Sequence, residues 1–138
     1  MSYSVHKLSE RLYYIRWLKP PTSAEGHAFV DSLGRLLEES PQPVYFISDL
    51  RNGQITDVQV LRRLGGLTKH EKWAGSTAFS ERIASKVFVN LFTALAQTRH
   101  REIWPTAEEA LAYLESVCPG LTANIDWQDV LADKSAPA

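Results

Sequence analysis

Residues 44–50 read Val-Tyr-Phe-Ile-Ser-Asp-Leu, mostly apolar at odd and even positions alike. A strand with one face in water alternates, whereas a strand apolar on both parities is buried on both faces. Pro41 and Pro43 stand before the run and Asn52-Gly53 after it, which delimits it as a strand followed by a turn into a helix. This segment requires a sheet covered by helices, with Val44–Leu50 at its centre.

The neighbouring segments supply that cover. Tyr3, Val5 and Leu8 suggest a first short strand, Ser9-Glu10 a turn, and Leu12–Trp17 a second strand of aromatic and β-branched residues. Pro20-Pro21 ends it. Thr22 with Glu25 forms a capping box, and Ala24, Ala28, Phe29, Leu33, Leu36 and Leu37 give the first helix its apolar face. Thr56 with Gln59 reads as a second box, opening a helix through Val60, Leu61 and Leu64 that Gly65-Gly66 closes. Lys72–Thr77 is a weaker strand. Ser80 caps a third helix with the stripe Ile83, Val87, Leu91 and Leu95, widened by Phe88 and Phe92. Arg101–Trp104 is a short edge strand, and Thr106 with Glu109 opens a last helix that Pro119-Gly120 ends. The order β-β-α-β-α-β-α-β-α predicts an α/β fold: a mixed, mostly parallel sheet of about five strands with an N-terminal hairpin, packed with about four helices. Residues 1–120 form one domain. Residues 121–138 are a tail, partly docked or disordered, whose apolar set is Leu121, Ile125, Trp127, Val130 and Leu131.

At 138 residues the chain has room for one domain and buries enough surface to fold without metals or disulfides. Fifteen basic against sixteen acidic residues give a formal net charge of -1, which removes the bulk basic signature of non-specific nucleic-acid binding. No apolar run approaches ~18 residues, so no membrane span is expected. Met1–Glu10 lacks the apolar core of a signal peptide, and a cytoplasmic location is the expectation.

Site chemistry is sparse. His6, His27, His70 and His100 make no close pair, and Ala74 stands where His70-Glu71 would need its second histidine, so no metal site is expected. Cys118 reads as an apolar thiol. Gly65-Gly66 follows a helix rather than opening one, so no phosphate loop is expected, and no cofactor is implied. There is no nucleophile elbow. A triad of Ser76 or Ser80 with His70 and an acid/base pair of Asp49 with Glu71 are the catalytic arrangements to test, and no catalytic residue is assigned. Asp49 ends the central strand, where α/β folds bind ligands, although a turn role with Asn52 is the plainer reading. Trp73, Phe88, Phe92, Trp104 and Asp49 form the candidate lining of a pocket. Trp127 is the candidate interface anchor.

Two stretches carry a family resemblance. Val44–Leu50 closes on Asp-Leu before a Thr-bearing helix start, and Glu71–Gly75 leads through the Ser80 helix to Ile103-Trp104-Pro105-Thr106-Ala107-Glu108-Glu109-Ala110-Leu111-Ala112-Tyr113-Leu114. Together they resemble the SpoIIAA-like or STAS-like proteins, relatives of the anti-sigma-factor antagonists and more distantly of the CRAL-TRIO fold, over roughly residues 10–116. In the antagonists a serine at the corresponding helix start is phosphorylated and switches partners. The nearest position here is Thr56, within Ile55-Thr56-Asp57-Val58; the antagonists' Asp-Ser-Ser-Gly stretch is not present. The resemblance implies a non-enzymatic interaction or regulatory domain, with a carrier or sensor of a small apolar ligand as the alternative. The expected partners are a protein, a second copy of the chain, or that apolar ligand.

Overall fold

The computed structural model describes residues 2–80 and 103–132. The expected helix after Ser80, with Phe88 and Phe92, lies outside the described residues. The elements are β1 (Tyr3–Ser9), β2 (Leu12–Trp17), α1 (Ser23–Glu39), β3 (Val44–Asp49), α2 (Val58–Leu67), β4 (Trp73–Phe79), β5 (Ile103–Trp104), α3 (Ala107–Val117) and α4 (Trp127–Leu131). The sheet has the order β1-β2-β3-β4-β5: four full strands and a two-residue fifth. The β1–β2 hairpin is antiparallel, and β2, β3, β4 and β5 run parallel. The expected mixed, mostly parallel sheet is present, with Val44–Asp49 at its centre.

Because side chains alternate along a strand, the registers sort residues onto two faces. On one, Ile15 and Trp17 of β2 and Val44 and Phe46 of β3 pack against Phe29, Val30, Leu33 and Leu37 of α1 and Val60 and Leu61 of α2. On the other, Leu12, Tyr14, Ile47 and Phe79 pack against Ala110 and Leu114 of α3 and Leu121 of the tail. The continuous apolar character of β3 follows: Phe46 serves the first face and Ile47 the second.

Capping is partly as read. Thr22 and Glu25 form a reciprocal box at α1, with Glu25 N–H donating to Thr22 Oγ1 (3.1 Å) and Thr22 N–H to Glu25 Oε1 (2.9 Å). At α2 the cap is Asp57 and not Thr56: its Oδ1 accepts from Gln59 N (2.8 Å) and Val60 N (3.2 Å). A carboxylate suits the positive end of a helix better than a hydroxyl does. Gly65-Gly66 do not end α2, which continues to Leu67 and is closed by Thr68, whose hydroxyl donates to Gly65 O (2.6 Å). The hairpin turn falls at Glu10-Arg11, one residue later than the sequence reading.

Two glycines permit close approaches. A Cβ on Gly26 would stand 3.0 Å from the Val60 side chain, so α1 meets α2 there. A Cβ on Gly53 would stand 2.4 Å from the Lys19 carbonyl carbon, which seats the loop after β3 against the end of β2.

Candidate functional site

The C-terminal ends of the parallel strands form one rim of the sheet, the usual ligand-binding edge of α/β folds. Register aligns Arg16, Asp49, Phe79 and Trp104 in a single row across β2, β3, β4 and β5. Tyr14 lies two residues behind Arg16 on the same face. Arg51 stands just beyond the end of β3.

This row is a polar network in an apolar face. Tyr14 Oη donates to Asp49 Oδ2 (2.5 Å). Arg51 binds the same carboxylate in bidentate fashion, Nε to Oδ1 (2.9 Å) and Nη2 to Oδ2 (2.7 Å), and its backbone N–H adds a third bond to Oδ1 (3.0 Å). The turn role expected for Asp49 is therefore real, but its partner is Arg51 and not Asn52. Arg16 lies with its Nε 3.6 Å from Asp49 Oδ2. Arg16 is stacked on the Tyr14 ring and Arg51 on the Phe79 ring, at 5.4 and 5.5 Å. Tyr14 and Asp49 are each 1% exposed, and Arg16 is 6% exposed.

The network fixes protonation. Burial alone would raise the Asp49 pKa, but the bonds from Arg51 and Tyr14 outweigh it and hold the carboxyl below its ordinary range. Burial, and then the bond to Asp49, pushes the Tyr14 phenol up to about 12. Asp49 also raises the Arg51 pKa. At neutral pH the site is a carboxylate, a neutral phenol and two guanidiniums.

The tail closes this rim. Arg16 Nη2 donates to Val130 O (2.5 Å) and Arg51 Nη2 to Leu131 O (2.7 Å), both carbonyls of α4. Trp127 packs against the α3-side cluster, and its Nε1 donates to Thr122 O (3.0 Å).

The remaining nominated residues are dispersed. Glu71 is exposed before the start of β4, at the opposite end of the sheet from Asp49, so the Asp49–Glu71 pair is not assembled. His70 and Ser80 flank β4 at its two ends, on the order of 20 Å apart along the strand, so they form no dyad. The His70 ring instead accepts from Lys72 N–H (3.0 Å). Ser80 is buried, with its N–H bonded to Trp104 O (2.9 Å) and its hydroxyl to Leu50 O (3.4 Å). Trp73 packs on Phe46 (4.7 Å) in the α1–α2 cluster, whereas Trp104 packs on Tyr113 (6.1 Å) in the α3 cluster. The two tryptophans thus line opposite faces of the sheet and share no pocket. Thr56 is exposed in the loop that leaves the rim for α2. A surface cleft of about 420 Å³ between the hairpin and α1, lined by Lys7, Tyr13, Arg35 and Glu39 among others, contains none of the nominated residues.

Arg16, Tyr14 and Arg51 were not nominated from sequence, although a signal for one of them exists. Arg16 interrupts an otherwise apolar run, and a cation in a buried strand requires a partner. Among the described residues no cluster of three or more His, Cys, Asp or Glu side chains could hold a metal ion. Among them, too, no helix is long and apolar enough to cross a membrane.

Comparison with protein-family models gave no match, and neither did comparison with curated proteins. Among solved structures, the chain is similar to an uncharacterised protein of the DUF3478 family with a SpoIIAA-like fold from Shewanella loihica. The TM-score is 0.56 at 10% identity, covering 81% of this chain and 91% of that one. The likeness establishes the general SpoIIAA-like fold that residues 10–116 suggested.

Proposed function

We propose that the chain is a non-enzymatic protein-interaction domain with a regulatory role, and that its partner surface is the C-terminal rim of the sheet. One observation carries this reading: the polar cluster at the rim is consumed by its own bonds and by the chain's tail. The Asp49 pKa is held below the ordinary carboxylate range and that of Tyr14 is pushed up to about 12, so neither group is poised near neutral pH, where a proton-transferring group works best. Asp49 has its oxygens filled by Arg51 and Tyr14. What remains adjustable is the cover, α4, carrying Trp127.

Thr56 belongs to the same end of the molecule. A phosphate there would stand beside the Asp57 carboxylate that already caps α2, and like charge would loosen the first turn. Partner binding that Thr56→Glu abolishes and Thr56→Val preserves is the expected result.

The test of the reading is crosslinking in host lysate joined to native mass spectrometry of gently purified chain. Crosslinks from the rim or tail to one discrete protein are expected. A small apolar molecule held at a fixed ratio to the chain, with no protein partner, would replace this reading by that of a carrier.

A further inference from the structure

We infer that the groove holding α4 is a docking site for a helical segment of a partner protein bearing a carboxylate, and that α4 is its built-in stand-in. This rests on the interaction-domain reading and specifies the chemistry of the partner.

The first argument is a charge mismatch. Among the described residues, Arg16 and Arg51 bring two positive charges to the rim and Asp49 one negative charge, which leaves one net positive charge in a largely buried cluster. Asp49 is already committed to Arg51 and Tyr14. The Arg16 side chain is 7% exposed, and its hydrogen bonds go to two neutral oxygens, Val130 O at 2.5 Å and Tyr14 Oη at 3.4 Å. Its Nε has no hydrogen-bond partner among the described residues. Main-chain carbonyls are thus a neutral answer to a charged demand. A carboxylate in their place would form charge-assisted bonds, roughly twice as strong, and would bring the cluster to neutrality. A phosphate dianion would overshoot to net negative in a site of low dielectric, which favours a single carboxylate.

The second argument is shape. Trp127, Val130 and Leu131 are spaced i, i+3, i+4, so they share one helical face, and all three pack on the α3-side cluster. Apolar anchors at this spacing in a groove are the mode by which amphipathic helices bind partner domains. A competing helix needs the same anchors and an acidic group at its C-terminal end, where α4 presents carbonyls.

The third argument is that α4 is lightly held. It has five residues, none of them buried. A helix this short has no stability of its own. Its docking therefore depends on the half-buried anchors and the two arginine bonds, and a longer helix with a carboxylate makes the same contacts and better ones.

The experiment uses the full chain and the peptide of residues 120–132, made once with a free C-terminal carboxylate and once as the amide. Binding is measured by calorimetry to wild type and to Trp127→Ala, which loosens the tail; Leu131→Ala serves if the first variant does not fold. The free-acid peptide is expected to bind the tail-weakened chain about tenfold or more tighter than the amide, the difference between a charged and a neutral acceptor. Wild type should bind either peptide more weakly than the variant, because its own tail competes at high effective concentration. Adding Arg51→Gln to the variant should erase the preference for the free acid. Equal affinities for acid and amide, or no peptide binding, overturn the inference. So does dimerisation of the variant by exchanged tails, or binding of decanoate in place of the peptide. These failures concern the carboxylate site and leave the crosslinking result standing. A carrier result from mass spectrometry would instead remove the interaction-domain reading itself.

Discussion

The two faces of the sheet are built to different specifications. Among the described residues the α1–α2 face is closed by two helices, of seventeen and ten residues, over an aromatic cluster. There Trp17 meets Phe29 at 4.7 Å and Tyr3 at 5.2 Å, and Tyr3 meets Phe29 at 4.9 Å. Among the same residues the opposite face is closed by α3 and a five-residue helix, and a buried ionic network interrupts it at the rim. Apolar packing holds a structure together without a further occupant, whereas a buried charged network commits the molecule to a particular set of polar partners. The first face is built for stability, and under the proposed function the second is the one that exchanges its cover for a partner.

The sharpest way to break this comparison is to remove the same side chain from each face. Trp17 is 2% exposed inside the aromatic cluster. Trp17→Ala should cost about 4 kcal/mol, within the usual range for deleting a buried aromatic, and urea unfolding measures it. A cost below about 1 kcal/mol would mean that the α1–α2 face is not the stabilising one.

Removing the charge of Asp49 comes next. Asp49→Asn leaves Arg51 and Arg16 without their counter-charge in a buried site, and a loss of about 3 kcal/mol is expected at neutral pH. The folded-state pKa of Asp49 is depressed, so the contribution of its charge is present above the ordinary carboxylate range and is lost as pH falls through the lower folded value. The difference between wild type and Asp49→Asn should accordingly shrink below about pH 4. A difference that persists unchanged at pH 2 would place the cost in packing and not in charge.

The phenol gives the opposite sign. The pKa of Tyr14 is raised to about 12 from an ordinary 10.0, so its contribution is complete below pH 10 and is lost as pH rises from 10 to 12. Wild type should lose about 2 kcal/mol across that window, and Tyr14→Phe should flatten most of the fall. Tyr45, whose pKa burial also raises, leaves a smaller residue of pH dependence. Alkaline unfolding curves of the two chains decide it.

How much of this was legible in the sequence follows the range of each interaction. The central strand was readable because burial on both faces is written in seven consecutive residues. The reciprocal cap at Thr22 was readable because its two partners stand three residues apart. At α2 the same local rule chose the neighbour, because Thr56 and Asp57 are both good caps and the carboxylate prevailed. The rim network was not readable. It joins residues 35 positions apart through the parallel register that sets Arg16 beside Asp49. The proposed pairing of Trp73 with Trp104 failed because the register shifts by one residue between Trp73 and Gly75. The shift turns Trp73 to the face opposite Phe79 and Trp104 although it shares parity with Phe79, and such a bulge is not written in the local pattern. The apolar set of the tail was visible, but its landing place rests on bonds from Arg16 and Arg51 across 114 and 80 positions.

The smallest expected effect concerns Trp127. It is half-buried, in a helix with no buried residue, so Trp127→Ala should cost only about 1 kcal/mol of global stability, far less than Trp17→Ala although the deleted ring is identical. Its effect should be local. The backbone amides of residues 121–132 should exchange with solvent much faster, while those of β2 and β3 keep their protection, because regions with few buried contacts open without the rest of the fold. Hydrogen exchange followed by mass spectrometry separates the two. If protection fell equally in the tail and in the central strands, the tail would be part of the cooperative core. The two faces would then form one unit, and the rim could not exchange its cover independently.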